Sequence, residues 1–355
     1  MVTCLATYVH QLDPYAVQLW EGGPIRWYGL SYIAGFVIGY LIMKRVNTAG
    51  RSTVEQACLA DMVVTIAVGI IVGGRLGYVL FYKPSMLWTM SPRFPFWDVL
   101  AINEGGMASH GGIVGAIIAC LYYARRHGHN FGHIMDLAAF GTPVGLFVGR
   151  IANFVNGELY GKPCDENLPW AVKFPQEIAN WNLGADPARA VALGEAVDLV
   201  APNGTGAGPL QSWLPDLLTA IQSGNREIIG ILAPYITARH PSQIYQALLE
   251  GLLVFIVLAI AWMRPRKPFV ICGVFLAAYG VMRVIGEIYR LPDDHIAHME
   301  AAQLHVSRGQ LLSIPLIAAG LLMMWHFGRK PIDPMGGWFK RSSAGTGRVT
   351  ADDDL

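Results

Sequence analysis

Seven apolar stretches, each near the roughly 20 residues that cross a bilayer core, dominate this chain. They fall near residues 27–43, 62–82, 107–124, 133–154, 243–262, 269–287 and 311–328. Each is apolar around the whole circumference of a helix, not along one stripe, which suits lipid better than a soluble core. A bilayer leaves backbone groups no water to bond, so spans of this length are helices. The fold class expected is an all-α polytopic membrane protein with seven transmembrane helices. Composition agrees: 14% of the 355 residues are charged, where a soluble domain carries roughly 25%. An ordinary soluble enzyme, a disordered chain and a disulfide-stapled secreted module are thereby excluded. Net charge is +1, so no global field calls for nucleic acid. The five cysteines are odd in number and form no CxxC, so neither a zinc site nor a disulfide framework is expected.

Basic residues set the direction of the spans. Lys44, Arg45 and Arg51 follow span one, Arg125 and Arg126 follow span three, and Arg264, Arg266 and Lys267 follow span five. Arg329, Lys330, Lys340, Arg341 and Arg348 follow span seven. These share the cytoplasmic side if the chain crosses seven times, which puts the amino end outside. The first span lacks a basic start and a small-residue cleavage site, so it reads as an anchor. The organisation expected is residues 1–154 for spans one to four and 155–242 for an extracytoplasmic head. Spans five to seven occupy 243–330, and a polar, disordered cytoplasmic tail occupies 331–355. Within the head, Pro202 to Pro209 reads as a flexible run. Glycines at 35, 39, 69, 73, 74, 77, 111, 112 and 115 are spaced to let helices approach closely in lipid.

Ionisable residues inside spans are costly and mark functional candidates. With the orientation above, they collect in the outer half of the membrane. Tyr28 opens span one and Arg75 lies toward the outer end of span two. His110 lies in the run Asn103 to Gly112 that starts span three, and Arg150, Asn153, Asn156 and Glu158 finish span four. Ser242 and Gln243 start span five, and Arg283, Glu287 and Arg290 end span six on one helical face. Asn156-Gly157 predicts that the fourth helix breaks before Glu158. Each residue has a plainer reading: a self-neutralising interfacial row for Arg283, Glu287 and Arg290, packing for His110, an aromatic belt for Tyr28. Two or more arginines in the outer leaflet nonetheless fit a phospholipid phosphate, because a planar guanidinium gives it two charge-assisted hydrogen bonds.

Residues 149–161, Gly-Arg-Ile-Ala-Asn-Phe-Val-Asn-Gly-Glu-Leu-Tyr-Gly, closely resemble the signature of the prolipoprotein diacylglyceryl transferase family. Four further segments agree with it in order: Tyr28-Gly29, Gly74 to Tyr78, Ser109 to Gly112 and His240 to Tyr245. So does Arg283 through Arg290 with Pro292-Asp293, and the resemblance covers residues 12 to 330. It implies a bacterial inner-membrane enzyme with its active site toward the periplasm. The enzyme would move the diacylglyceryl group of phosphatidylglycerol onto the lipobox cysteine of a prolipoprotein signal peptide. The implied products are a thioether and glycerol 1-phosphate, with no metal or organic cofactor. By the same resemblance, Arg150 and Arg283 hold the lipid phosphate and His110 is the candidate base. Tyr28, Asn153, Glu158, Gly161, Tyr279, Glu287 and Arg290 match further site positions, and the substrate pocket expected also includes Arg75, Asn156, Ser242 and Gln243. Whether His110 removes the thiol proton or positions the lipid is left open by the sequence. The departures are Ala152 for a common glycine, Gln246 for a frequent glutamate, and extra length near 183–235. The competing class is a transporter or flippase of an anionic lipid or solute. No internal repeat of the kind such proteins carry stands out.

Overall fold

The computed structural model describes residues 7–18, 24–91, 95–102, 105–201, 210–291 and 307–339. The flexible run 202–209, the tail from Ser342, Asn103-Glu104 and Pro292-Asp293 all lie outside the described residues. In chain order the helices are α1 (Trp27–Val46), α2 (Leu59–Phe81), α3 (Ser109–His127) and α4 (Phe131–Asn156). Then come α5 (Pro187–Val200), α6 (Leu210–Gln222), α7 (Arg226–Leu232) and α8 (Ser242–Gln246). A π-helical segment (Ala247–Leu253) leads into α9 (Val254–Ala261), followed by α10 (Val270–Gly286) and α11 (Arg308–Gly328). All seven apolar stretches are therefore helical. Among the described residues, five helices are long and apolar enough to cross a membrane: Trp27–Ala49, Gln56–Phe81, Phe131–Asn156, Ser242–Ala261 and Gly309–Gly328. Val270–Gly286 is apolar but shorter, and α3 runs for 19 residues with Arg125, Arg126 and His127 in its last turn. This is the architecture of a polytopic membrane protein.

The chain groups into two compact units. The first comprises Met1–Tyr40, Ala138–Leu258 and Cys272–His326; the second comprises Leu41–Leu137, Ala259–Ile271 and Phe327–Leu355.

In the first unit, glycines bring helices into backbone contact. A Cβ at Gly35 would stand 3.2 Å from Gly145 Cα of α4, and one at Gly251 would stand 2.6 Å from Phe147 Cβ. One at Gly320 of α11 would meet Gly273 O of α10 at 2.5 Å. The stretch between α4 and α8 folds on its own stripe of apolar residues. Leu193, Ala196 and Val197 of α5, Trp213, Leu217 and Ile221 of α6, and Ile228 and Leu232 of α7 recur at three- and four-residue intervals and bury together with Val9 and Ile178. Full burial of one such Leu or Ile contributes about 1.5–3 kcal/mol. Asp186 caps α5 through Arg189 N at 3.1 Å, and Asn225 caps α7 through Glu227 N and Ile228 N. A small sheet ties this layer to the chain start: β1 (Tyr8–Val9) runs parallel to β4 (Val172–Lys173), which pairs antiparallel with β5 (Ala238–Arg239). A separate hairpin joins β2 (Tyr15–Gln18) to β3 (Pro24–Arg26).

In the second unit, α2 and α3 pack through glycine. A Cβ at Gly73 would run into the carbonyl oxygen of Gly111, and one at Gly115 into that of Gly69. The small-residue spacing read from the sequence thus produces close helix contact. After α9 the chain is held by Trp262 Nε1, which donates to Met335 O at 3.2 Å, and by Trp338 Nε1, which donates to Ala259 O at 2.8 Å.

Candidate functional site

The first unit assembles its polar groups where α4, α8 and α10 end or begin. α4 stops at Asn156; Gly157 turns the chain with φ of 66° and Leu159 follows with φ of 56°. Glu158 therefore lies on a turn, as Asn156-Gly157 predicted, and is exposed. Its backbone N–H donates to Asn153 O at 3.1 Å while its carboxylate accepts from Asn153 Nδ2 at 2.7 Å and from Asn156 Nδ2 at 3.4 Å. The following strap is stitched on both sides. Gly161 N donates to His240 O at 3.0 Å, and Lys162 N donates to Tyr289 O at 2.9 Å. A Cβ at Gly161 would stand 2.5 Å from His240 O and 2.7 Å from Tyr289 O, so only glycine fits. Ser242 Oγ donates to Leu159 O at 3.0 Å, and Gln243 Nε2 donates to Glu158 O at 2.7 Å. Both side chains are fully buried, so in this structure they fix the strap.

Two arginines share one acid. Arg150 Nη2 lies 3.2 Å from Glu250 Oε2, and Arg283 Nη1 lies 3.3 Å from Glu250 Oε1. Glu250 is 0% exposed, while the Arg150 and Arg283 side chains retain 16% and 19% exposure. The two guanidiniums, from α4 and α10, are thus fastened to the two oxygens of one carboxylate. Tyr279, one turn before Arg283, hydrogen-bonds its guanidinium. Glu287 lies 4.0 Å from Arg283 Nη2 and 3.5 Å from Arg290 Nη1. Arg150, Arg283 and Arg290 are thus ion-paired with the two carboxylates Glu250 and Glu287. The row Arg283, Glu287, Arg290 is self-neutralising only in part, because Arg283 also belongs to Glu250.

Glu250 was missed in the sequence, although the signal was present: an acid inside an apolar span is as costly as an arginine there. Tyr28 sits in the first turn of α1, where its hydroxyl accepts from Tyr32 OH at 3.2 Å. Tyr32, also absent from the sequence reading, lies within electrostatic reach of Glu158.

Arg75 and His110 belong to the second unit. Arg75 is 4% exposed, and its guanidinium donates to five carbonyl oxygens. Nε reaches Val99 O at 2.7 Å, Nη1 reaches Gly105 O and Gly106 O, and Nη2 reaches Asp98 O and Ala101 O. A guanidinium has five N–H donors, so all are spent on this loop. Here Arg75 is a loop anchor, a role that replaces the anion contact expected from sequence. His110 occupies the first turn of α3, exposed, beside the Gly111 contact with α2.

Comparison with known proteins adds an independent line. The family model described as prolipoprotein diacylglyceryl transferase matches residues 14–326. A phosphatidylglycerol–prolipoprotein diacylglyceryl transferase of Bdellovibrio bacteriovorus is 42% identical over 347 residues, covering 93% of this chain and 97% of its own. The protein of that name from Ralstonia pickettii is 37% identical over 327 residues, covering 90% and 95%. One from Neisseria gonorrhoeae is 37% identical over 323 residues, covering 90% and 98%.

Proposed function

Because the chain belongs to the prolipoprotein diacylglyceryl transferase family, we propose that it moves the diacylglyceryl group of phosphatidylglycerol onto a prolipoprotein cysteine. The observation that supports this reading is the pair Arg150 and Arg283, both fastened to the buried carboxylate of Glu250. A phosphodiester is an anion to which a planar guanidinium can give two charge-assisted hydrogen bonds.

The lipobox thiolate attacks the glycerol carbon that bears the phosphate. A C–S bond forms, the C–O bond breaks, and its electron pair stays on the phosphate oxygen. Glycerol 1-phosphate departs and the thiol proton goes to a base. Charge grows on the phosphate as the bond breaks, and guanidiniums already aimed at it stabilise that change without reorganising. A free thiol has a pKa near ~8.5, so a base near neutrality speeds attack; His110 is assigned that role. Tyr28, Asn153, Asn156, Glu158, Tyr279, Glu287 and Arg290 line the path of lipid and peptide, and Ser242, Gln243 and Gly161 hold the strap over it.

The topology of the proposal has seven spans, formed by the five long helices with α3 and α10. The amino end and the 155–242 head lie on the periplasmic side of the bacterial inner membrane, and the tail lies in the cytoplasm. Basic clusters after spans one, three, five and seven support this orientation.

The test is transfer of labelled diacylglycerol to a lipobox peptide. Arg150→Ala and Arg283→Ala insert normally and transfer nothing measurable; full activity in both ends the reading. Cysteine-accessibility mapping that put positions 150 and 283 on opposite faces of the membrane ends it as well.

A further inference from the structure

Span five carries a second buried group that the reaction above leaves unused. Gln246, the last residue of α8, is 0% exposed. Neither its Nε2 nor its Oε1 has a hydrogen-bond partner among the described residues. Buried amides are almost always satisfied, and one that is not calls for an explanation. Its position supplies one. Gln246 lies directly before the π-helical segment that carries Glu250, a helix type found frequently at functional sites. A Cβ on Gly286 of α10 would be 3.4 Å from Gln246 Cγ and 3.7 Å from Glu250 Oε1. That oxygen is the one that holds Arg283. The idle amide and the carboxylate that fastens the arginines therefore both lie against Gly286 of α10.

We propose that Gln246 reads the terminal diol of the donor's headgroup, and so sets which anionic phospholipid is accepted. This rests on the transferase reading given above. A carboxamide offers two N–H donors and one carbonyl acceptor. A vicinal diol offers two hydroxyls, each able to donate and accept, and satisfies both ends of the amide. An ammonium headgroup only donates, and would leave Nε2 facing a cation. A bare phosphate only accepts, and would leave Oε1 empty. The diol is also uncharged, so the phosphodiester stays the only charge of the headgroup.

The experiment uses the full chain in mixed micelles with a lipobox peptide and two donors. One is phosphatidylglycerol. The other is phosphatidylpropanol, the same diacyl phosphodiester without the two hydroxyls. The wild type is expected to favour phosphatidylglycerol by about 10- to 100-fold in kcat/KM, the worth of one or two hydrogen bonds to a buried polar group. Gln246→Leu is expected to lose that preference by slowing with phosphatidylglycerol while keeping its rate with phosphatidylpropanol within about two-fold. Gln246→Met, close in shape and flexible, should do the same. A wild type that treats both donors alike overturns the proposal without any variant. So does a variant that slows both donors equally, which marks a packing role, or one that keeps the wild-type ratio. A wild type that attaches glyceride from neither donor overturns the transferase reading itself, and this proposal with it.

Discussion

Glu250 accepts a hydrogen bond from Arg150, 100 residues earlier in the chain, at 3.2 Å. Its other oxygen takes Arg283 at 3.3 Å, so one buried carboxylate sets the separation of two guanidiniums. Removing one partner of a buried ion pair costs about 3–5 kcal/mol, because the charge left behind is uncompensated. Glu250→Gln keeps the shape and removes the charge. The two arginines then repel, and the site gains a further positive charge. The transfer rate is expected to fall about 100-fold or more, the loss that follows when oriented charge stabilisation is removed. Glu250→Asp, shorter by one methylene, should be intermediate. Transfer assays on purified, folded variants decide it: a Gln variant at more than half the wild-type rate would remove the carboxylate from any organising role.

Gly161 is expected to tolerate no side chain. A methyl group there meets two backbone carbonyls, His240 O and Tyr289 O, at 2.5 and 2.7 Å. Backbone does not move aside as a flexible side chain does. Overpacking of this kind costs about 1–3 kcal/mol, and the strap that carries Glu158 is displaced with it. Gly161→Ala should lower the melting temperature and the transfer rate together. Gly194→Ala is the control, since nothing lies within 4 Å of a Cβ there and the residue is inside α5. Replacing an interior helix glycine by alanine gains roughly 0.5–1 kcal/mol. Equal melting temperatures for the two variants would contradict the steric account.

The spans were legible because lipid imposes one simple demand, a long run without charge, and all seven stretches are helical. The break after Asn156 was legible for a local reason, a glycine that takes φ of 66°. The helices between α4 and α8 left their apolar stripe in the sequence, but they lay in a segment read only as a head. The site was half legible. Arginines in apolar surroundings announce themselves. Their partner Glu250 needed the same argument with the sign reversed. The loop role of Arg75 depends on where carbonyls 23 to 31 residues away arrive, and no residue type signals that.

Arg75 tests the distinction between an anchor and an anion site. Lysine offers three donors where arginine offers five, so at least two of the five carbonyls lose their partner. Hydrogen bonds from a charged group are worth about 1.5–3 kcal/mol each. Arg75→Lys should raise amide hydrogen exchange at residues 98–101 and 105–106 while exchange in α5 to α7 stays unchanged. An affinity for phosphatidylglycerol that falls with no change in that loop's exchange would return Arg75 to the binding site.

His10 gives the first unit a pH limit. It is 1% exposed, packed between Phe154 and Phe174, and its Nε2–H donates to Phe154 O at 2.7 Å. Burial lowers its pKa from the ordinary 6.5, and the bond to the Phe154 carbonyl opposes this only in part. Nδ1 has no partner among the described residues, so a proton added there finds no acceptor. The folded state therefore binds that proton less readily than the unfolded chain, which takes it up below its ordinary pKa. The stabilisation is complete above pH 6.5 and is lost as pH falls through the lowered folded value. Thermal unfolding in detergent between pH 8 and pH 5 measures this. The wild type should lose melting temperature on the acid side. His10→Gln, which keeps a donor for Phe154 O but does not titrate, should lose less. Parallel curves for the two proteins would show that other groups set the acid limit.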